Sequence, residues 1–366
     1  MSSERANLLR VPDAASEARL RQLQREGETR GRVEGRGIRP AGAPFPQATP
    51  ETGYYGIHLL KEPQWTPEIP LYFFVGGVAG SAAVIGATAD WLGKDPELAQ
   101  SARWLAFGGS LVSTALLISD LGRPSRFLNM LRVFKVQSPM SMGAWTLAAF
   151  GGSAAASLFA KAAERRFGKA YPIRVIGNAG QLLAALFGLP LHNYTGVLIG
   201  ATAIPVWNEN ITTLPIHFGM SGVQAGASLL ELMGNSDSRA LNLLGLGSAL
   251  FESLEGFHLE RREEASLKPL KRGASGWTTR AGGVLSGPLP LALRLLAAAS
   301  GRSRSRTLRR WAAMSGVAGS LLTRFGWVYA GRASARDWRL PLEIPADSAA
   351  SGGEVQPKPA AKDLAA

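Results

Sequence analysis

The chain has 366 residues, no cysteine, a formal net charge of +13 and a mean hydropathy barely above zero. Without thiols it cannot ligate an iron–sulfur cluster through cysteine, form a disulfide, attach a c-type haem or use a cysteine nucleophile. The averages conceal a division, because residues 1–69 and 332–366 carry 15 basic and 14 acidic side chains whereas the 262 residues between them carry 25 and 13. In that middle the charges are bunched between apolar runs close to the about 20 residues that cross a bilayer. Such a pattern describes a polytopic membrane protein whose basic loops face lipid phosphates and docked partners, and nothing in it points to nucleic acid.

In chain order, residues 1–53 are rich in Arg, Glu, Gly and Pro and lack the short apolar core of a cleavable signal. They are predicted to form a polar, disordered tail, followed by a membrane domain over 54–337 and a flexible tail over 338–366. Eight apolar windows are found, at 71–92, 104–119, 141–160, 175–207, 214–233, 241–257, 284–300 and 311–330. The fourth is too long for one straight crossing and holds Pro190, His192 and Asn193. A single long helix kinked at the proline is predicted, with a re-entrant pair as the alternative. The seventh is the weakest, because it contains Pro288, Pro290 and Arg294. Arg324, in the last window, is predicted to snorkel to the interface. Small residues at helix-contact spacing (Gly76 and Gly80, Gly196 and Gly200, Gly222 and Gly226) predict close helix packing. The expected fold is an all-α integral membrane protein of eight transmembrane helices arranged as two four-helix bundles. Both termini then share one side, but basic loop residues divide almost evenly and do not orient the chain.

Polar groups inside apolar windows are functional candidates by default. Asp90, Asp120, His192, Asn193, Tyr194, Gln224, Glu231, Glu252, Glu255, Arg294 and Arg324 make up the set. Glu252 and Glu255 stand out, lying one turn apart on one face of the sixth window. Such a pair suits proton transfer, or else is a structural hydrogen-bonding pair with one neutral member. A bis-histidine haem is not expected: His192 and His217 differ in depth by about 20 Å at the helical rise per residue, His58 precedes the first window, and His258 closes the sixth. No metal site is expected either.

The connection after the second window, residues 120–135, alternates basic and apolar side chains like an amphipathic segment lying in the interface. Tyr54, Tyr55, His58, Lys61, Trp65, Glu68 and Tyr72 form a polar-aromatic approach to the membrane on the same side, as an aromatic belt would.

The run Leu121-Gly-Arg-Pro-Ser-Arg-Phe-Leu-Asn-Met-Leu-Arg-Val-Phe-Lys135, followed by Ser138-Pro-Met-Ser141 and Gly143-Ala-Trp145, resembles the hallmark of the NrfD/PsrC family. Agreement continues in Lys61-Glu-Pro-Gln-Trp65, Glu68-Ile-Pro-Leu-Tyr72, Tyr194-Thr-Gly196, Ala203-Ile-Pro-Val-Trp207 and Ala330-Gly-Arg-Ala-Ser-Ala335. The resemblance implies an eight-helix respiratory subunit of the bacterial inner membrane that binds a quinone, menaquinone or ubiquinone, near one face. It also implies electron exchange with a docked ferredoxin-like iron–sulfur subunit, which in this family often serves a molybdopterin-containing catalytic subunit. With no haem or cluster expected in this chain, the quinone would be its redox group. By resemblance Tyr194 donates a hydrogen bond to the quinone, Asp120 and Arg123 shape the pocket and its proton exchange, and Trp65, Glu68 and Tyr72 line its mouth. Two other classes compete: a transport or proton-translocating module, motivated by Glu252, Glu255 and the kinked fourth window, and a structural anchor without a quinone site.

Overall fold

The computed structural model describes residues 60–337 apart from 94, 122 and 169, together with residues 18, 21, 22, 25 and 340. The predicted tails, with Tyr54, Tyr55 and His58, otherwise lie outside the described residues. The helical unit spans Leu59–Ala346, and no strand occurs among the described residues.

The long helices are α1 (Glu68–Trp91), α2 (Pro96–Asp120), α3 (Pro139–Phe167), α4 (Tyr171–Gly200), α5 (Thr213–Leu230), α6 (Arg239–Arg261), α7 (Gly273–Ser286), α8 (Pro288–Ala298) and α9 (Arg302–Arg336). Local chemistry starts several of them. Asp95 caps α2, its carboxylate accepting from the Leu98 amide at 3.0 Å, and Pro96 supplies the first helical residue. Ser138 and Pro139 do the same for α3, as Ser138 Oγ accepts from the Ser141 amide. A wide π turn, Glu231–Asn235, extends α5, and Gly234 ends it at φ +112°, a backbone conformation that favours glycine.

Among the described residues, four segments are long and apolar enough to cross a membrane: α1, α2, α4 and the combined stretch Gly273–Ala298. The last of these begins well before the predicted start at 284 and is broken at Gly287, where Pro288 opens a new helix. Pro190 does not interrupt α4, which runs unbroken for 30 residues and stops at Gly200 rather than at 207. A separate short helix, Pro205–Asn208, follows.

Helix α1 is the hub. It packs on α2, α4, α5 and α9, while α3 joins α2 and α4, α6 and α9 pack on α5, and α7 and α8 lie against α9 and α6. Glycines allow the crossing of α1 and α5: a Cβ on Gly77 would lie 3.6 Å from the Gly222 Cα, and one on Gly226 would lie 3.0 Å from the Ser81 Cβ.

The bundle interior holds charges. Arg294 of α8 makes a two-pronged contact with Glu231, Nη1 and Nη2 donating to the two carboxylate oxygens at 2.8 and 2.9 Å, and Nη1 also donates to Asn242 at 3.1 Å. Both members of the pair are buried. Arg324 does not snorkel. It is 0% exposed, donating from Nη1 to Ser221 Oγ (2.7 Å), Ser320 Oγ (2.8 Å) and the Ser320 carbonyl (2.9 Å), and from Nη2 to the Phe218 carbonyl (3.0 Å). The expectation fails because α9 continues to Arg336, which leaves Arg324 about 18 Å from the helix end at 1.5 Å per residue.

Breaking a buried ion pair strands a charge, at a cost of about 3–5 kcal/mol. Arg294→Leu is therefore expected to lower the melting temperature in detergent sharply. The double variant Glu231→Leu with Arg294→Leu recovers much of the loss, as thermal unfolding of the purified protein would report.

Candidate functional site

The sequence motifs separated by up to 270 residues meet at one end of the bundle. Trp65 stacks on Trp207, ring centroids 5.2 Å apart and planes at 14°, and meets Phe73 edge-on at 6.0 Å. The Trp207 indole N–H donates to the Trp327 carbonyl at 2.8 Å. Its ring occupies the space where Gly331 lacks a side chain, and the neighbouring Val206 amide donates to Ser334 Oγ at 3.3 Å. Beside these rings opens a cleft of about 430 Å³ lined by Leu60–Trp65, Thr202–Ile204 and Trp207. Glu62, one of its walls, accepts from Arg336 Nε and Nη2 at 2.9 and 2.8 Å, tying the end of α9 to the segment before α1. That contact holds the Arg336 guanidinium pKa above its ordinary value.

The connection from α2 to α3 is pinned against this end. Asp120 accepts from both the backbone amide and the hydroxyl of Thr66, rather than pairing with Arg123 or Arg126, both of which are exposed. Pro124–Leu131 forms a tight 3₁₀ helix with no buried residue. Ser141 Oγ donates to the Val133 carbonyl and accepts from the Lys135 amide, each at 3.1 Å. Tyr194, near the C-terminal end of α4, donates its hydroxyl to the Pro139 carbonyl. The ring lies directly on Gly143, where any Cβ would collide with it.

Of the predicted quinone residues, Trp65 lines the cleft, whereas Tyr194, Asp120, Arg123, Glu68 and Tyr72 do not. Tyr72 is 3% exposed and packs on Phe73 at 5.8 Å. Glu68 Oε2 is buried without a hydrogen-bond partner among the described residues. The aromatic walls of the cleft, Trp65 and Trp207, offer flat faces against which a ring such as a quinone's would fit.

Glu252 and Glu255 do come together, and they bring with them a histidine that the sequence does not connect to either. His217 Nδ1 hydrogen-bonds Glu255 Oε2 and lies 3.9 Å from Glu252 Oε2, which also accepts from Ser286 Oγ at 3.1 Å. The possible ligand atoms of these three side chains all fall within 4.8 Å of one another, a donor set that can hold a cation. His217 begins a buried polar stripe along α5 that continues through Ser221, Gln224 and Ser228 to Glu231. Ser221 bonds Ser320 and Arg324, Gln224 accepts from Ser248, and Glu231 holds Arg294. Steps of four and three residues keep the stripe on one helical face. This spacing is visible in the sequence, but serines in an apolar helix resemble packing residues.

The comparisons with known proteins agree with these motifs. Residues 61–237 match the family described as "Polysulphide reductase, NrfD". Over 185 residues the chain is 28% identical to the C subunit of tetrathionate reductase from Salmonella typhimurium, an alignment covering 49% of this chain and 53% of that protein. The chain thus spans about half the length of the curated relative it matches. The match over residues 61–237 and this relative together support placing the chain in the NrfD/PsrC family.

Proposed function

We propose that this chain is the quinone-binding membrane subunit of a respiratory reductase complex. In this reading it crosses the bacterial inner membrane eight times. It exchanges electrons between menaquinone or ubiquinone and a docked ferredoxin-like iron–sulfur subunit, which serves a molybdopterin-containing catalytic subunit. One observation carries the reading: the family's motifs, scattered from residue 61 to 335, contact one another at one end of the bundle, around an aromatic cleft. Motifs needed only for helix packing would have no reason to converge there.

A bound quinone supplies electron transfer together with proton uptake or release. The chain's residues supply the rest. Trp65 and Trp207 offer flat faces for a ring. Tyr194, held on Gly143, presents a hydroxyl that can exchange the Pro139 carbonyl for a quinone oxygen. Asp120, fastened to Thr66, keeps the start of the α2–α3 connection against the segment that carries Trp65. The exposed Arg123 and its basic neighbours offer a surface to an acidic partner.

A proton-moving role for Glu252 and Glu255 is supported by the stripe from His217 to Glu231. Its 15 residues cover about 21 Å of helix, a large part of the about 30 Å hydrocarbon core. Hydrogen-bonding side chains at this density suit proton relay more than transport of a larger solute.

Three outcomes test these assignments. Tyr194→Phe is expected to lower quinol turnover about tenfold, the worth of one hydrogen bond at the reacting oxygen, with the complex still assembled; unchanged turnover removes Tyr194 from the site. Gly143→Ala, whose methyl group would collide with the Tyr194 hydroxyl and ring and displace both, should reproduce that loss. Glu252→Gln should abolish turnover-linked proton movement into or out of reconstituted vesicles; the same proton yield as the unaltered protein would make the pair structural.

A further inference from the structure

A second cavity, of about 420 Å³, is lined by His217 and otherwise by residues beyond the family match. His217, Glu252 and Glu255 form its polar floor, and Phe257, Leu259, Val284, Pro288 and Trp327 are among its apolar walls. Two polar atoms on the floor have no hydrogen-bond partner among the described residues: His217 Nε2 and Glu252 Oε1. Both residues are more than nine-tenths buried, at 7% and 3% exposure. Leaving such atoms unmet costs roughly 1–3 kcal/mol each, so the arrangement calls for a ligand that meets them.

The surroundings narrow its chemistry. Phe257 and Val284, both in the lining, are 57% and 53% exposed, so the cavity reaches an apolar outer surface that would face hydrocarbon. Glu260 and Arg280 also line it and are committed to each other, Glu260 accepting from Arg280 Nε and Nη2 at 2.7 and 3.0 Å. A fatty acid or phospholipid head is disfavoured at the floor, because an anion there would sit against Glu252 and Glu255. A neutral oxygen-bearing ring with an apolar tail suits the polar floor and the apolar walls. Imidazole and carboxylate can each give or take a proton, so the floor can meet either the hydroxyls of a quinol or the carbonyls of the quinone. The volume falls within the range of small-molecule pockets.

We infer that the His217–Glu252–Glu255 cavity is a second binding site for the quinol or quinone headgroup, separate from the Trp65–Trp207 cleft, with the isoprenoid tail leaving between Phe257 and Val284. The inference rests on the quinone reading above and adds a second place of binding. It also accounts for two glycines in the lining, Gly256 and Gly283, neither of which has an atom within 4 Å of where a Cβ would stand. A side chain added at either projects into open space and fills the cavity without clashing with the fold.

The test is equilibrium binding of a fluorescent alkyl-hydroxyquinoline N-oxide, a quinol mimic, to the purified full-length protein, read as equivalents bound per chain. Two equivalents are expected. Gly283→Leu should remove one, with an unchanged melting temperature, and Trp65→Ala the other, and Glu252→Gln with Glu255→Gln should weaken the same equivalent as Gly283→Leu by tenfold or more. A single equivalent lost in Trp65→Ala and kept in Gly283→Leu overturns the second site and leaves the quinone reading standing. No saturable binding at all overturns the quinone reading itself. A single equivalent lost only in Gly283→Leu supports this cavity and refutes the Trp65 cleft.

Discussion

A polar side chain inside a membrane bundle must find its partners within the protein, because lipid offers none. That constraint organises the C-terminal half of this molecule. Arg294 needs Glu231, and to reach it α8 must lie against the π turn that extends α5. Arg324 draws the Phe218 carbonyl, Ser221 and Ser320 around itself and thereby sets how α9 lies on α5. The helices these two arginines join are the ones that bring His217 to Glu252 and Glu255, so the cluster depends on them.

The N-terminal half is assembled differently. Its contacts rely on small residues and aromatic rings, with the Asp90–Arg103 pair at 2.9 Å and Gln181 linking α1, α2 and α4. The two halves meet through α1 and through tryptophans: Trp65 on Trp207, and Trp207 on the backbone of Trp327, whose ring lies 6.0 Å from His217. Trp207 thus lines the cleft near Trp65 and Trp327 the cavity on His217, and the Trp207 indole N–H bond to the Trp327 carbonyl joins the two. In the proposed function these tryptophans stand at the two places where the same lipid-soluble ligand is held.

Much of the architecture is legible in the sequence because bilayer-length apolar runs are a strong signal. Helices α1, α2 and α4 and the combined Gly273–Ala298 segment correspond to predicted windows, with errors concentrated at boundaries. The seventh window starts too late because Arg280 and the threonines before it lower local hydropathy, although they remain helical. Arg324 is misplaced because its helix overruns the apolar window, and hydropathy marks the apolar stretch, not the helix. Of the candidate site, the link between Glu252 and Glu255 is readable from their spacing. The pairing of His217 with Glu255 is not, because the two lie 38 residues apart and no local pattern connects them. The proximity of Asp120 to Thr66 and of Tyr194 to Pro139 likewise depends on tertiary packing, so motif matching locates the residues without their contacts.

The central claim is that this chain holds a quinone. Solvent extraction of the complex, purified in mild detergent from its native membrane, followed by quantification of quinone against protein, tests it most directly. The account predicts menaquinone or ubiquinone in at least one equivalent per chain, well above the amount carried by the co-purified phospholipid. Quinone present only in proportion to bulk lipid, together with no saturable uptake of added quinone, would contradict it.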